Sequence, residues 1–141
     1  MKLNLPQIKS KMTTNRILKS FFLPVAVLII HAILLITGVY YLYGEVDIPM
    51  HFLGGAAAAF MTYSLLKIAE DKDLLKTAKS LHFLFVISLV ALIAIGWEFF
   101  EFIIDMTGLL TAQLSIADTM GDLLMGLLGV PFGYLLGKKF V

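Results

Sequence analysis

Hydrophobic positions along the chain form four long apolar segments separated by short polar stretches. The segments cover residues 17–43, 49–68, 81–104 and 117–136. Each has roughly the 20 residues that an α-helix needs to cross a hydrocarbon core of about 30 Å. Backbone N–H and C=O groups in lipid must form hydrogen bonds within the protein. A single isolated segment can satisfy all of them only as a helix. The pattern therefore predicts four transmembrane helices.

The connections between these segments are short, which makes consecutive helices antiparallel neighbours. We therefore expect an all-α membrane protein with a single four-helix transmembrane domain over residues 17–141, preceded by a basic cytoplasmic arm over residues 1–16. The basic start resembles a signal peptide. However, the apolar run exceeds the roughly 7–15 residues of a typical signal sequence, and no A-x-A-like cleavage site follows it. An uncleaved first helix is expected.

The composition agrees with this fold class and excludes others. The chain is 60% hydrophobic and only 15% charged, and its mean hydropathy is +0.92. A soluble domain of this size needs far more charge to keep its surface wetted. The chain has no cysteine, which excludes disulfides and thiolate metal sites. It also has no aromatic–basic surface of the kind that binds nucleic acid.

The basic residues predict the orientation of the helices. Cytoplasmic loops carry an excess of Lys and Arg. With the N-terminus inside, the 11 basic residues all fall on the cytoplasmic side: Lys2, Lys9, Lys11, Arg16, Lys19, Lys67, Lys72, Lys76, Lys79, Lys138 and Lys139. Both termini are therefore expected in the cytoplasm of a multi-pass cell-membrane protein.

Most acidic residues follow the opposite pattern. Three of them accompany lysines in the inner loop, whereas seven lie at outer helix ends or loops: Glu45, Asp47, Glu98, Glu101, Asp105, Asp118 and Asp122. Four aromatic residues near the same end are typical of an interfacial belt: Tyr40, Tyr41, Tyr43 and Trp97. The unusual chemistry of the chain is thus concentrated at its outer side.

The outer polar residues have helical spacing. The second helix opens with Asp47 and His51, the third closes with Glu98, Glu101 and Asp105, and the fourth opens with Asp118 and Asp122. Residues three or four apart project from the same side of a helix. Three helix ends are therefore expected to present polar stripes at one membrane depth.

Physical chemistry narrows the role of these stripes. Carboxylates within the bilayer boundary are costly and normally have partners, but no Lys or Arg is available on this side. Several carboxylates in one low-dielectric site cannot all stay ionised unless a cation binds. A divalent metal ion of unknown identity, held by oxygen ligands and one imidazole, meets this requirement. The residues within the helices that suggest such a site are His51, Glu98, Glu101 and Asp122.

Structural alternatives remain for several of these residues. Asp47 precedes Pro49 and could cap the second helix. The run from Ser115 to Asp118 resembles a capping box, so Asp118 could be a structural cap. Asp105 and Glu45 are expected to be solvated loop charges. A hydrogen-bond network without metal is the structural alternative for the whole cluster.

Small residues predict that the second and fourth helices approach other helices closely. The second helix contains a run of glycines and alanines over residues 54–59, and the fourth carries Gly126, Gly129, Gly133 and Gly137. Such residues let helix backbones come together in a membrane, and they could also support a homo-oligomer. The two helices also begin with similar motifs, D-x-x-x-H and D-x-x-x-D. This similarity is the kind expected if the two helical hairpins are a degenerate parallel repeat around one site.

The order of these motifs resembles a known family. D-x-x-x-H-x-x-G, then W-E-x-x-E, then D-x-x-x-D before a glycine-rich helix resembles the YjdF-like family of uncharacterised bacterial membrane proteins, over about residues 47–137. It is similar, more loosely, to the VanZ-like family, which has a member linked to glycopeptide resistance. VanZ-like proteins usually have Gln in place of Glu101 and Asn in place of Asp122. The resemblance implies six metal-site residues: Asp47, His51, Glu98, Glu101, Asp118 and Asp122.

Three functions fit these observations. A metal-dependent enzyme could act on a lipid headgroup or envelope precursor at the outer leaflet, with Glu98 or Glu101 as general base. A non-catalytic protein could bind or transport cations, although the sequence shows no polar route through the helices. A structural membrane protein could use its acids only to cap and link helices. Neither resembling family supplies a settled activity that would decide between them.

Overall fold

The computed structural model describes residues 5–108 and 115–141, with side chains from residue 13 onward. Its α-helices are α1 (Leu5–Ser20), α2 (Phe22–Ile36), α3 (Val39–Leu42), α4 (Asp47–Asp71), α5 (His82–Met106) and α6 (Ile116–Phe140). Among the described residues, four helical stretches are long and apolar enough to cross a membrane: Thr13–Ile36, Gly44–Asp71, Lys79–Met106 and Ile116–Phe140. The all-helical fold with four membrane-spanning helices is confirmed.

The N-terminal arm is helical wherever the structure describes it. Helix α1 covers Leu5–Ser20 and is followed after one residue by α2. Pro24 explains the break, because a proline in the first turn of α2 has no N–H to bond back to the preceding turn. Residues 1–4 of the predicted arm lie outside the described residues, and the cytoplasmic location of the arm remains a prediction.

The first membrane-spanning helix ends earlier than the apolar pattern predicts. Helix α2 stops at Ile36, whereas the apolar run continues to residue 43. Gly38 has a φ of +73°, a left-handed conformation that commonly ends helices. The chain then forms the short helix α3 and a 3-10 turn over Gly44–Val46 before α4 begins. The predicted helix end at residue 43 was wrong, because hydropathy does not detect the left-handed backbone at Gly38.

The tightest contact in the bundle joins α4 and α6, which run parallel. A Cβ atom built on Gly129 would lie 2.2 Å from the carbonyl oxygen of Phe52, and one built on Gly133 would lie 1.9 Å from that of Ala56. Further along both helices, Gly137 contacts the ring of Tyr63. The predicted close approach of small residues is confirmed. The most intimate pair is therefore the second and fourth spans, which are not consecutive in sequence.

The apolar core lies among α4, α5 and α6. Its buried members are Ala58, Ala59, Tyr63, Leu66, Val86, Val90 and Val130. Helix α2 packs on α4 but contributes no buried residue. Its exposed isoleucines and leucines suit a lipid-facing helix at the edge of the bundle, where apolar side chains need no protein partner. Helices α4, α5 and α6 thus form a compact unit, with α2 beside it.

Two acidic side chains at the end of the bundle where α4 finishes, Glu70 and Asp71, have basic partners. The Arg16 guanidinium lies 2.6 Å from Asp71. Glu70 lies 2.8 Å from Lys67 and 2.6 Å from Nε2 of His82, which starts α5. The pair between His82 and Glu70 joins two helices across the loop between them. The charges of these two carboxylates are therefore compensated within the protein.

Candidate metal centre

Three helix termini meet at the other end of the bundle, here called the site end. Helix α4 begins there at Asp47, and α5 passes through Glu98 and Glu101 in its last turns. Helix α6 begins at Ile116, nearly two turns before Asp122. Glu98, Glu101 and Asp122 are all buried, with 5–6% of each residue exposed. The predicted polar stripes therefore do converge at one depth.

His51 lies at the centre of these side chains. Its Nε2 atom is 3.5 Å from an Asp47 carboxylate oxygen and 3.8 Å from an Asp122 oxygen. Its Nδ1 atom is 3.8 Å from Glu98 Oε1. One imidazole therefore faces carboxylates from three helices, two on the side of Nε2 and one on the side of Nδ1.

In the part of the chain that the structure describes, two groups of side chains have ligand atoms close enough to hold a metal ion together. Asp47, His51 and Asp122 form one group, and His51, Glu98 and Glu101 form the other. Within each group the ligand atoms lie within 4.8 Å of one another. His51 belongs to both, and imidazole with carboxylates is an ordinary ligand set for several divalent metals. The arrangement is one in which a cation could sit on either side of the ring.

Helix α6 reaches the site through its contact with α4. The two helices open with D-x-x-x-H and D-x-x-x-D, and because they run parallel, His51 and Asp122 come within 3.8 Å of each other. Next to them the backbones nearly touch, since a Cβ on Gly55 would lie 1.8 Å from the carbonyl oxygen of Gly126. A rigid helix pair thus positions one side of the site. The idea of an internal repeat remains a prediction.

Trp97 fixes the position of one glutamate. Its indole N–H donates a 2.7 Å hydrogen bond to Glu101 Oε1, one helical turn further along α5. On its other side the indole ring makes an edge contact with His31 of α2, with ring centroids 5.2 Å apart. Trp97 therefore links the carboxylate cluster to the first span. The sequence predicted a place for Trp97 in an interfacial belt but neither of these contacts.

A second aromatic residue completes this link. Tyr40 of α3 and Nδ1 of His31 share a hydrogen bond of 2.7 Å. Burial raises the pKa of the Tyr40 phenol above its ordinary value, so the phenol stays protonated in this contact. The segment 37–46 is thereby tied to α2 beside the site. The i, i+4 spacing of Trp97 and Glu101 in the sequence could have indicated their hydrogen bond. The hydrogen bond between Tyr40 and His31 could not be predicted in this way, because it depends on the turn at Gly38.

The structure distinguishes among the remaining predicted residues. Asp47 is the first residue of α4, and the cap position falls on Val46, which has no side-chain hydrogen bond to the helix. The capping alternative for Asp47 is therefore wrong. Asp118 lies outside both metal-compatible groups, and its backbone N–H donates to the Ser115 hydroxyl, which caps α6. Glu45 is exposed as predicted.

Asp105 differs from its prediction as a loop charge. It lies in the last turn of α5 and is half-buried, so it belongs to the helix rather than to the following loop. It is not part of either metal-compatible group among the described residues. Asp105 lies one turn closer to the end of α5 than Glu101 does, so it lies beyond the cluster.

The charge balance of the site end is the opposite of that at the other end. Among the residues whose side chains are described, Lys and Arg occur only toward the opposite helix ends, where they pair with Asp71 and Glu70. The buried carboxylates at the site end face a single imidazole. Buried like charges without compensation are unfavourable, so protons or a cation must balance them.

These features define a multi-pass, all-helical membrane protein with a buried acid–histidine cluster at one end of its bundle. Residues 12–140 match the sequence model of a family described as "Predicted membrane protein (DUF2238)", and the chain therefore belongs to that family, which is the YjdF-like family. No curated protein and no solved structure matched the chain. The looser resemblance to VanZ-like proteins remains a resemblance.

Proposed function

We propose that this protein binds one divalent metal ion through His51 and its surrounding carboxylates, and that the site acts on the polar headgroup of a lipid or envelope precursor. The observation that carries the proposal is the position of one imidazole within 3.8 Å of carboxylates from three helices. No Lys or Arg among the described side chains lies at this end to balance the charge. A divalent cation balances it directly.

The two nitrogens of His51 take different roles in this proposal. Nε2 binds the metal together with Asp47 and Asp122, the nearest carboxylates on that side. Nδ1 carries the proton and donates it toward Glu98, as metal-binding histidines commonly do to an outer carboxylate that orients the ring. Three protein ligands leave a coordination position for substrate or water, which is the arrangement of catalytic rather than structural metal sites.

Metal content tests the first part of the proposal. We expect about one Zn²⁺ or Mn²⁺ per chain in detergent-purified, metal-loaded protein measured by elemental mass spectrometry. His51→Ala removes a ligand and should abolish binding. Glu98→Gln should weaken affinity about 10- to 100-fold, as expected for the loss of an outer-shell partner. Glu45→Gln, an exposed acid at the same end, is the matched control and should bind normally.

The opposite results would reject the metal site. Wild-type protein that remains metal-free after loading with both ions would favour a protonated carboxylate network with a structural role. In that case Asp122→Asn and Glu98→Gln should lower thermal stability with no change in ion binding. Equal metal content in His51→Ala and wild type would show that any bound ion lies elsewhere.

Glu101 is the group best placed to act as a general base. Trp97 holds one of its oxygens by a 2.7 Å hydrogen bond, and its ligand-forming oxygen lies within 4.8 Å of those of His51 and Glu98. With a cation held by Asp47, His51 and Asp122, the site would supply polarisation of a phosphoryl or acyl oxygen, and Glu101 would accept a proton from the attacking water. Headgroup hydrolysis that survives alanine at both Glu98 and Glu101 would exclude this catalytic role.

The surface on which the site opens follows from the predicted orientation. The basic residues cluster at the opposite helix ends, and by the positive-inside rule this supports an outer-leaflet position for the acid–histidine cluster. A cysteine introduced at Glu45, labelled in intact cells by a membrane-impermeant maleimide, tests this orientation. Labelling only after the cells are opened would reverse it, and the substrate would then be sought in the inner leaflet.

Transport of the ion is less well supported than action at one membrane surface. The space immediately beneath the site is lined mainly by apolar side chains, and the side chains there with a polar atom are His31, His51 and Trp97. An ion crossing a bilayer needs polar groups along its route. Metal uptake into proteoliposomes that is lost in His51→Ala would favour transport instead.

A further inference from the structure

A cavity of about 380 Å³ lies directly beneath the acid–histidine cluster. Its upper end is formed by His51, His31 and Trp97, and its lower end by Phe21, Pro24 and Met61. Alanines and glycines of α4 form one side wall along its length. Because the bundle spans the membrane, this cavity lies within the hydrocarbon region, and one end of it meets the candidate metal centre.

The length of the cavity matches one leaflet. Along α4 it extends from His51 to Met61, which corresponds to about 15 Å at 1.5 Å per residue. The hydrocarbon core of a bilayer is about 30 Å thick. A chain that entered beside His51 and ran parallel to α4 would therefore end near the middle of the bilayer, as the tail of a lipid in that leaflet does.

The shape and lining of the cavity suit one extended hydrocarbon chain. Its volume of about 380 Å³ extends over a length of about 15 Å along α4, so the space is elongated along the helix. The side chains that line it are apolar apart from His31, His51 and Trp97. Because the medium around the bundle is lipid, an acyl chain is the occupant that matches this shape and lining.

The cavity also opens toward the surrounding lipid. Its wall includes Val25 and Leu28 of α2 and Ile93 of α5, which are 48%, 49% and 45% exposed. Helices α2 and α5 both pack on α4, and the space lies between them. A lipid tail can enter sideways through this opening without crossing a polar barrier.

Gly54 lies in the wall that α4 forms, and it has free space beside it. A Cβ atom placed there meets no atom within 4 Å, although the neighbouring Gly55 is pressed against the backbone of α6. Adding a side chain at Gly54 would therefore occupy the cavity without moving a helix. Filling an apolar pocket of this size with hydrocarbon is favourable because it restores the missing packing contacts.

We propose that this cavity binds one hydrocarbon chain of a membrane phospholipid and places the attached headgroup beside His51. The chain-binding part stands on the cavity alone, whereas the use of the headgroup rests on the proposed function. The cavity thus identifies the substrate class as a membrane-embedded amphiphile rather than a water-soluble compound. Apolar tail burial supplies the binding energy, and the polar cluster meets only the headgroup.

Fluorescence of Trp97 can report the bound chain. Trp97 is the single tryptophan of the chain and lines the cavity, so a phospholipid with brominated acyl chains will quench it when one chain enters. The titration is done on full-length protein in detergent, and lipid retained through purification is counted by extraction and mass spectrometry. We expect saturable quenching and about one retained phospholipid per chain.

Variants on two glycines make the test specific. Gly54→Leu fills the cavity and should weaken the apparent affinity for brominated lipid at least tenfold, with Gly54→Ala intermediate. Gly96→Leu is the matched control, because its Cβ also meets open space but Gly96 is exposed and lies outside the cavity lining. It should be quenched like wild type. Equal quenching of Gly54→Leu and Gly96→Leu would overturn the proposal.

The two proposals fail in different ways. Asp122→Asn should lose most of its metal affinity and keep saturable quenching, because Asp122 belongs to the cluster and lies outside the cavity lining. Absence of metal from every variant, with quenching lost only in Gly54→Leu, would reject the metal centre and leave the lipid cavity intact. Linear, unsaturable quenching in wild type would mean contact with bulk lipid only and would reject the cavity site.

Discussion

Gly133→Ala is expected to disrupt the contact between α4 and α6. The new Cβ atom would lie 1.9 Å from the carbonyl oxygen of Ala56 and 2.9 Å from the Cβ of Ala59. Ordinary van der Waals contact begins near 3.4 Å, so the helices must separate locally by about 1.5 Å. The atom in the way is backbone, which cannot rotate aside. Overpacking of this kind costs about 1–3 kcal/mol.

The measurement is the free energy of unfolding in mixed detergent micelles, followed by helical circular dichroism. Gly121→Ala on the same helix is the matched control, since its Cβ meets no atom within 4 Å. It should be neutral or stabilise by up to about 1 kcal/mol, because alanine is a better helix former than glycine. Equal stability of the two variants would refute the parallel, backbone-to-backbone packing of α4 and α6.

Three further changes test other parts of the structure. Asp118→Asn should leave metal affinity within about threefold of wild type, whereas Asp122→Asn should lower it by more than about 100-fold. Zinc titration measures both affinities, and equal losses would place both residues in the site. Trp97→Phe removes the hydrogen bond to buried Glu101 and should destabilise the fold by about 1–3 kcal/mol, seen as a lower unfolding midpoint. Glu70→Gln should cost a similar amount and leave metal content unchanged; reduced metal content would contradict the separation of the two ends.

Much of the fold could be predicted because membrane spans depend on one-dimensional properties. Apolar length defined the four helices, and the glycines of α6 indicated a close helix contact that Gly129 and Gly133 make. The convergence of His51 and Asp122 followed from helical spacing combined with a shared membrane depth. These inferences needed no knowledge of which helix faces which.

Other features depend on the rotation and connection of helices, which hydropathy does not encode. The end of α2 is set by the left-handed backbone at Gly38, in the middle of an apolar run. The pairing of His82 with Glu70 crosses a loop and requires particular faces of α4 and α5 to meet. Similarly, the cavity beside Gly54 exists because α2 and α5 pack on α4 with space between them. A list of residue types could not reveal that space.

X-ray absorption spectroscopy of protein loaded with one equivalent of Zn²⁺ tests the central claim most directly, because it reports which atoms bind the ion. The structure predicts one imidazole nitrogen and carboxylate oxygens at about 2.0–2.2 Å, with the imidazole signal absent from any zinc that remains on His51→Ala. A zinc shell of water oxygens alone in wild type would contradict the metal centre. So would an imidazole signal that survives in His51→Ala, since it would have to come from His31 or His82.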